Sequence, residues 1–268
     1  MFARNNGFTV LELLIAVLLA SIVTSAAMSI YVTEHKQLLV QGQVSDMQSS
    51  IRAAIAELAT KIRSAGYNLP EGIPPIEAYN TNPDTIVLIY DSGLIRDVTI
   101  EHAMPEPSAE LRCDGHDLTG LYDGDWVYIF DPFLKTGEYF IVTQVQYSPP
   151  NIQHNTMSLN HSYPVGSKIM KIKRQKYYID RSNPNRPNLM VQEGNNPPQL
   201  YAENITDLQF RYVLSSHAVV DTPLMPDMIR EVMISVAART DNPDPDFNGQ
   251  YRGRTLATKV KVRNLGVN

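Results

Sequence analysis

The N-terminal part of the chain consists of one nearly unbroken apolar run, which extends from residue 8 to about residue 32. At ~1.5 Å per residue, a helix of this length crosses the ~30 Å apolar core of a bilayer. The pattern then becomes amphipathic, and its apolar residues recur at the spacings of one buried helical face. These residues are Met47, Ile51, Ile55, Leu58 and Ile62. Because no proline occurs before Pro70, the pattern predicts one helix over residues 8–66, transmembrane over 8–32 and amphipathic over 33–66, with Gly66 as its C-cap.

The helical period disappears after residue 66, where short runs rich in Val, Ile, Tyr and Thr are separated by Pro and Gly. These runs predict strands over 85–90, 94–100, 126–130, 138–147, 168–180, 205–214, 228–239 and 255–264. In the last run, basic residues alternate with valines, as on a sheet with one solvated face. Long loops are predicted at 101–120, 148–155, 181–200 and 240–252. Residues 67–268 are therefore expected to form a mostly antiparallel β domain, and the fold class is α+β.

One charged residue, Glu12, interrupts the apolar run near its start. An unpaired carboxylate at this depth costs at least ~2.5 kcal/mol on membrane-insertion scales, so Glu12 is expected to have a partner. A secretory signal peptide would place its cleavage site after the apolar run, whereas here Gly7 and a short leader precede it. A plain transmembrane anchor explains the length of the run but gives neither Gly7 nor Glu12 a role. An internal helix of a soluble protein is rarely so uniformly apolar.

The order of leader, Gly7 and apolar run resembles the signal of type IV prepilins and of type II secretion pseudopilins. The resemblance implies that a prepilin peptidase removes residues 1–7 by cutting between Gly7 and Phe8, and then methylates the amine of Phe8. It also implies that Glu12 is the acidic residue of the family, which pairs with the Phe8 amine of a neighbouring subunit. Such a pair neutralises two charges in a medium of low dielectric constant.

Several later segments resemble one branch of this family, the PilW-type minor pilins and the J-type pseudopilins of general secretion. The segments are 62–67, 124–127, 177–180, 202–212 and 260–264. Many major pilins have a disulfide in a C-terminal loop and a proline in the membrane half of the helix. This chain has a single cysteine, Cys113, and its first proline is Pro70. The resemblance therefore implies a minor subunit, which helps to start or cap a filament.

Length and charge set the broad class of the protein. A chain of 268 residues, 43% hydrophobic and 19% charged, is long enough for one domain behind one long helix. The net charge of -5 gives no general argument for a nucleic-acid partner. The leader has Arg4 and no acidic residue, which predicts a cytoplasmic N-terminus and a periplasmic or extracellular β domain.

The sequence contains none of the common catalytic motifs, such as His-Glu-x-x-His, Gly-x-Ser-x-Gly or a phosphate-binding glycine loop. Potential ligands are densest at 113–117, which includes Cys113 and His116, but these two do not complete a four-ligand zinc site. A polar loop is the interpretation that the sequence favours there. We therefore expect a protein without enzymatic activity.

A second candidate site is the segment Asp244, Asp246 and Asn248, which fits the first half of a calcium-binding loop. The position that should carry a bidentate glutamate is occupied by Thr255. Two prolines in the segment also suit an exposed connection between strands. Calcium is thus a possible ligand of this loop, and no other cofactor is expected.

A third candidate is the run 168–178, in which cations and aromatic residues are mixed, as in some nucleic-acid-binding segments. The alternation of a strand does not place all of these cations on one face, and the chain around them is acidic. The sequence favours a solvated strand, and nucleic acid is not expected as a partner.

Together these features predict a minor type IV pilin in the bacterial inner membrane, with a single membrane span, that is later incorporated into a pilus at the cell surface. The implied partners are prepilin peptidase, other minor and major pilins, and the inner-membrane assembly platform. A J-type pseudopilin of type II secretion is the alternative within the same class. A membrane-anchored module that binds DNA or a surface receptor is the alternative from another class, and it requires no processing.

Overall fold

The computed structural model of the protein describes residues 9–70, 73–95, 97–155 and 158–265. Its first element is the helix α1, Val10–Ser64, which at ~1.5 Å per residue is ~82 Å long. The helix ends two residues before the predicted boundary, and its C-cap is Ala65 and not Gly66. Gly66 follows the cap with a φ of 78°, a left-handed backbone conformation that glycine adopts without strain. Its N–H donates to the carbonyl of Ile89 at 2.9 Å, which turns the chain toward the sheet.

The rest of the described chain is mostly β structure, with two short 3-10 helices, Pro226–Met228 and Pro245–Phe247. The predicted fold class, a long helix on a mostly antiparallel β domain, is confirmed. The strands are β1 (Ile76–Tyr79), β2 (Thr85–Asp91), β3 (Val98–Thr99), β4 (Leu111–Arg112), β5 (Trp126–Asp131), β6 (Thr136–Ile141), β7 (Gln144–Tyr147), β8 (Pro150–Gln153), β9 (Lys168–Asp180), β10 (Asn188–Glu193), β11 (Gln199–Ala202), β12 (Ile205–Leu214), β13 (Val219–Val220), β14 (Ile229–Arg239) and β15 (Gly253–Lys261).

The described strands form three antiparallel sheets. The largest has the order β1-β2-β9-β10-β11, and the first residues of β9 also pair with β3 and β5. A four-stranded sheet has the order β13-β12-β14-β15, and a small sheet has the order β4-β8-β7. Strand β9 pairs with different partners along its 13 residues and so joins the two halves of the largest sheet.

The predicted strands 168–180 and 205–214 have the bounds of β9 and β12. Other predictions were wrong. The predicted loops 101–120, 148–155 and 181–200 contain β4, β8 and β10. The predicted strand 94–100 is reduced to β3, and the predicted strand 138–147 is interrupted between β6 and β7. Strand β10 has three consecutive apolar residues, Leu189, Met190 and Val191, within a segment rich in Asn and Pro, and it is extended because it pairs with β9 over six residues.

The main core lies between the C-terminal half of α1 and two of the sheets. The predicted apolar face of the helix is confirmed, with Met47, Ile51, Leu58 and Ile62 buried and Ile55 partly buried. This face packs on the inner side of the four-stranded sheet and on the largest sheet. The sheet residues in this core include Tyr177, Leu208, Phe210, Val232, Ile234 and Val260.

A second core is formed by buried residues between Ile95 and Ile169, all of which follow α1 in the sequence. It contains Val127, Phe140, Ile152 and the only cysteine of the chain, Cys113. The helix contributes no residue to it. A third, smaller cluster contains Ile73, Val87, Ile89, Tyr128 and Ile172. Among the described residues the β domain thus has three apolar clusters, and α1 contributes buried residues to the first of them.

Candidate functional site: the N-terminal half of α1

The N-terminal half of α1 extends away from the β domain with its apolar side chains uncovered. Every residue from Val10 to Leu39 is exposed. The large apolar residues among them include Leu11, Leu13, Leu14, Ile15, Leu18 and Ile22, each at least half exposed. We call residues Val10–Leu39 the apolar arm; at ~1.5 Å per residue it is ~45 Å long.

Within the described residues, α1 is the one helix that is long and apolar enough to cross a membrane. None of its most apolar window is buried inside the protein, so this segment is not the core helix of a soluble domain. An apolar surface of this size is stable only in lipid or against other apolar helices. The arm therefore needs an environment that the rest of the chain does not provide.

The first turn of α1 gives Glu12 a partner within its own chain. Thr9 is the N-cap, and its hydroxyl oxygen accepts a hydrogen bond from the Glu12 N–H at 3.3 Å. In return, the Thr9 N–H and hydroxyl each donate to Glu12 Oε2 at 2.9 Å. This reciprocal arrangement is a capping box, which satisfies N–H groups that the first turn of a helix leaves unpaired.

The sequence reasoning identified Glu12 but missed Thr9. The signal was present, because Ser or Thr followed three residues later by Glu at the start of an apolar run is typical of a capping box. The remaining predicted processing residues, Gly7 and Phe8, lie outside the described residues. The proposed contact between the Phe8 amine and Glu12 of a neighbouring subunit therefore stays a prediction.

Comparison with known protein families identifies a motif at the N-terminal end of the chain. Residues 2–28 match the family model described as the prokaryotic N-terminal methylation motif. The chain carries the type IV pilin and pseudopilin signal. The matched residues include Gly7, Phe8 and Glu12, and the match ends within the apolar arm. A comparison with curated protein sequences finds no match.

The motif supports a type IV pilin-like or pseudopilin protein that is anchored in a membrane, and it implies processing by prepilin peptidase and assembly with other pilins. It also points to a structural protein, and the absence of enzymatic activity stays a prediction. The motif spans only the N-terminal residues, so the specific branch of the family belongs to the proposals below.

The candidate calcium loop is organised around an ion pair. The Asp244 carboxylate is buried; its Oδ2 contacts Arg252 Nε at 2.6 Å and its Oδ1 accepts the Asp246 N–H at 2.9 Å. The Arg252 guanidinium holds the pKa of Asp244 below its usual value. Asn248 has a left-handed backbone that ends the 3-10 turn. A calcium ion at Asp244 would compete with the Arg252 guanidinium for the carboxylate. Calcium binding stays a prediction that a calcium titration can test.

The predicted polar loop around Cys113 contains two separate pairs of side chains. His102 Nε2 contacts Asp114 Oδ2 at 2.8 Å, and His116 Nε2 contacts Glu101 Oε1 at 2.9 Å. Among the described residues, no three His, Cys, Asp or Glu side chains are arranged to hold a metal ion. Cys113 itself points into the second core and is fully buried.

Cys113 is expected to resist thiol reagents while the protein is folded. Burial raises the pKa of its thiol to about 12, so the reactive thiolate is scarce at neutral or mildly alkaline pH. Mass spectrometry after incubation with iodoacetamide should show an unmodified chain under native conditions and one adduct after denaturation. Rapid labelling of the native chain would show that the second core is not closed around Cys113.

The basic run in β9 consists mostly of paired cations. Lys171 Nζ contacts Asp125 at 2.6 Å, Lys173 Nζ contacts Glu193 at 3.8 Å, and an Arg174 guanidinium nitrogen contacts Glu77 at 2.6 Å. Each pairing reduces the positive charge that the strand offers to a phosphate backbone. The predicted solvated strand is in fact half-buried: β9 is paired with other strands on both sides, and Lys168 is its one exposed residue.

Proposed function

We propose that the protein is a minor type IV pilin that is processed between Gly7 and Phe8 and assembled into a pilus, at its initiation complex or tip. The observation that carries the proposal is the apolar arm, which bears the methylation motif and is uncovered along its whole length. A membrane covers the arm before assembly, and the helices of neighbouring subunits cover it afterwards. The β domain then lies on the periplasmic side and later at the cell surface.

The cysteine content of the chain supports the role of a minor subunit rather than that of the major subunit. Its one cysteine is buried in the second core, so no disulfide within the chain secures the C-terminal loops. Packing alone must stabilise the domain outside the cytoplasm, where a major subunit bears repeated mechanical load. A minor subunit at the initiation complex or tip bears less mechanical load, so a domain without a disulfide is sufficient there.

A J-type pseudopilin of type II secretion is the second candidate, because the same motif and the same arm serve both kinds of filament. The two assemblies differ in the partners that surround the chain. Capture of the assembled protein with its neighbours, followed by mass spectrometry, separates pilus subunits from components of a secretion system. A membrane-anchored binding module remains the alternative outside this class and predicts an unprocessed chain.

Intact-mass analysis of the membrane-extracted protein tests processing. We expect a chain that begins at Phe8 and carries one methyl group on its amine. A bulky residue at Gly7, as in Gly7→Val, should leave the leader attached, because the peptidase acts on the flexible backbone of glycine. Gly42→Ala is the matched control, since a Cβ added at Gly42 has no neighbour within 4 Å. Recovery of the native chain with Met1 in place would contradict the proposal.

A further inference from the structure

The four-stranded sheet ends in a long strand that has no neighbour on its outer side among the described residues. Strand β15 pairs with β14 over all nine of its residues, without a register shift, from Gly253 opposite Arg239 to Lys261 opposite Glu231. The other edge strands that the structure describes have two to six residues. Proteins limit pairing at edge strands by shortening them, bulging them or placing lysines on them; β15 is neither short nor bulged, but it carries Arg254, Lys259 and Lys261.

The hydrogen bonds at both ends of the β14–β15 pair define which backbone groups of β15 face outward. At one end, the Thr240 N–H donates to the Arg252 carbonyl at 2.8 Å; at the other, the Val262 N–H donates to the Arg230 carbonyl at 3.0 Å. In an antiparallel pair, residues alternate between bonding to the partner strand and pointing away from it. Besides the terminal Gly253, the residues of β15 whose N–H and C=O groups point away from β14 are therefore Thr255, Ala257, Lys259 and Lys261.

Within the described residues, nothing forms a hydrogen bond to the outward N–H groups of these four residues. The side chains along the strand are also accessible, and only Val260 is buried. Leu256 lies on the inner face of the sheet but remains 38% exposed at this edge. The strand thus has unpaired backbone N–H groups along its outer edge, together with an apolar side chain that an added strand would cover.

The C-terminal segment that includes β15 carries side-chain charges of only one sign. From Phe247 to Asn268 the sequence contains five cations and no acidic residue, although the chain as a whole carries a net charge of -5. Two of the cations, Arg252 and Lys259, pair with Asp244 and Glu231 from other elements. The other three have no ion-pair partner in the part of the chain that the structure describes: Arg254, Lys261 and Arg263.

We propose that the β15 edge, Gly253–Lys261, binds an extended acidic segment of a different polypeptide as an additional strand. Backbone hydrogen bonds to the outward groups of Thr255, Ala257 and Lys259 would hold the segment. Carboxylates on one face of the segment would pair with Lys261 and Arg263, whereas Arg254 lies on the other face of β15, with Leu256 and Val260. A second copy of this chain joined through the same edge would bring up a segment that also has cations and no acidic residue, so it would offer these cations no carboxylate. The charge pattern therefore favours an acidic partner over self-association.

The experiment uses the full chain in detergent micelles and a fluorescein-labelled synthetic peptide of alternating threonine and glutamate, about nine residues long to match the strand. Fluorescence anisotropy should show saturable binding that weakens as salt is added, because the cations are exposed to solvent. The same peptide with lysine in place of glutamate should bind at least about tenfold more weakly. Equal binding of the two peptides, or no binding of either, would overturn the proposal.

Ala257→Pro is the decisive variant. Proline removes the outward N–H of residue 257, while the bonds to β14 come from the neighbouring residues Leu256 and Thr258, and proline is tolerated in edge strands. The matched control is Ala257→Thr, which keeps the N–H and suits a strand. We expect peptide binding to fall at least about tenfold in the proline variant and to be unchanged in the threonine variant. Equal binding by the two variants would refute a backbone-mediated interaction.

Amide hydrogen exchange gives a readout that does not depend on any variant. In the free chain, the N–H groups of Leu256 and Thr258 should exchange slowly because they bond to β14, whereas those of Ala257 and Lys259 should exchange fast. The glutamate peptide should slow the second pair selectively. Slow exchange of Ala257 and Lys259 before the peptide is added would show that the edge is already covered. None of these measurements depends on processing at Gly7, so the two proposals fail separately.

Discussion

Glu12→Ala is expected to reduce incorporation of the protein into filaments about tenfold or more, while the processed chain stays in the membrane. The variant removes a charge from an apolar segment, so anchoring in the bilayer does not weaken. Assembly suffers because the Phe8 amine of the neighbouring subunit would be buried without its counter-charge. The measurement is the ratio of the chain in sheared surface filaments to the chain in membranes, by immunoblot. Glu34→Ala is the control, since Glu34 is an exposed carboxylate of the same helix beyond the most apolar stretch.

The capping box makes a second variant necessary. In Glu12→Ala the Thr9 N–H also loses its acceptor, so a defect could come from an unravelled helix start. Glu12→Gln separates the two effects, because glutamine at this position can complete a capping box but carries no charge. If the amine–carboxylate pair drives assembly, Glu12→Gln fails as Glu12→Ala does. A glutamine variant that enters filaments at the native level would assign Glu12 a capping role and refute the charge pair.

Leu58→Ala is expected to lower the free energy of unfolding of the β domain by about 2–5 kcal/mol. Leu58 is 0% exposed and lies in the main core between α1 and the sheets, so its truncation leaves a cavity among well-packed side chains. Leu39→Ala is the control on the same helix, because Leu39 is 56% exposed, and its free energy of unfolding should change by no more than about 0.5 kcal/mol.

Urea denaturation of the full chain in detergent micelles, followed by circular dichroism and by fluorescence of Trp126, compares the two variants. The midpoint should shift to lower urea in Leu58→Ala with little change in slope. Equal midpoints for the two variants would mean that the C-terminal half of α1 does not stabilise the domain. A shift in the helix signal alone would mean that the helix and the sheets unfold separately.

A hydrogen bond adds a polar connection to this apolar contact between helix and sheet. The Tyr177 hydroxyl, in the middle of β9, donates to Glu57 Oε1 of α1 at 3.0 Å. Tyr177 is buried, and burial raises the pKa of its hydroxyl, so the group stays protonated and able to donate. The helix is therefore fixed to the longest strand of the domain by both packing and a buried donor.

The sequence alone determined the parts of this protein that depend on local pattern. The length of the apolar run, the position of Glu12 within it and the spacing from Met47 to Ile62 predicted one long helix with one buried face, which the structure confirms. Long alternating runs likewise predicted β9 and β12 with their observed bounds. These features are readable because side chains three or four residues apart in a helix, or two apart in a strand, share a face whatever the rest of the chain does.

Only the tertiary structure decided the features that depend on contacts between distant residues. Strands β8 and β10 were predicted as loops, because each is short and lies in a segment rich in Asn and Pro, and they are extended through pairing with β7, β4, β9 and β11. The partners of Asp244 and Tyr177, and the free outer edge of β15, likewise follow from which segments meet in space. A residue's neighbours across a sheet are set by topology and register, and neither is encoded within the short window that a sequence pattern covers.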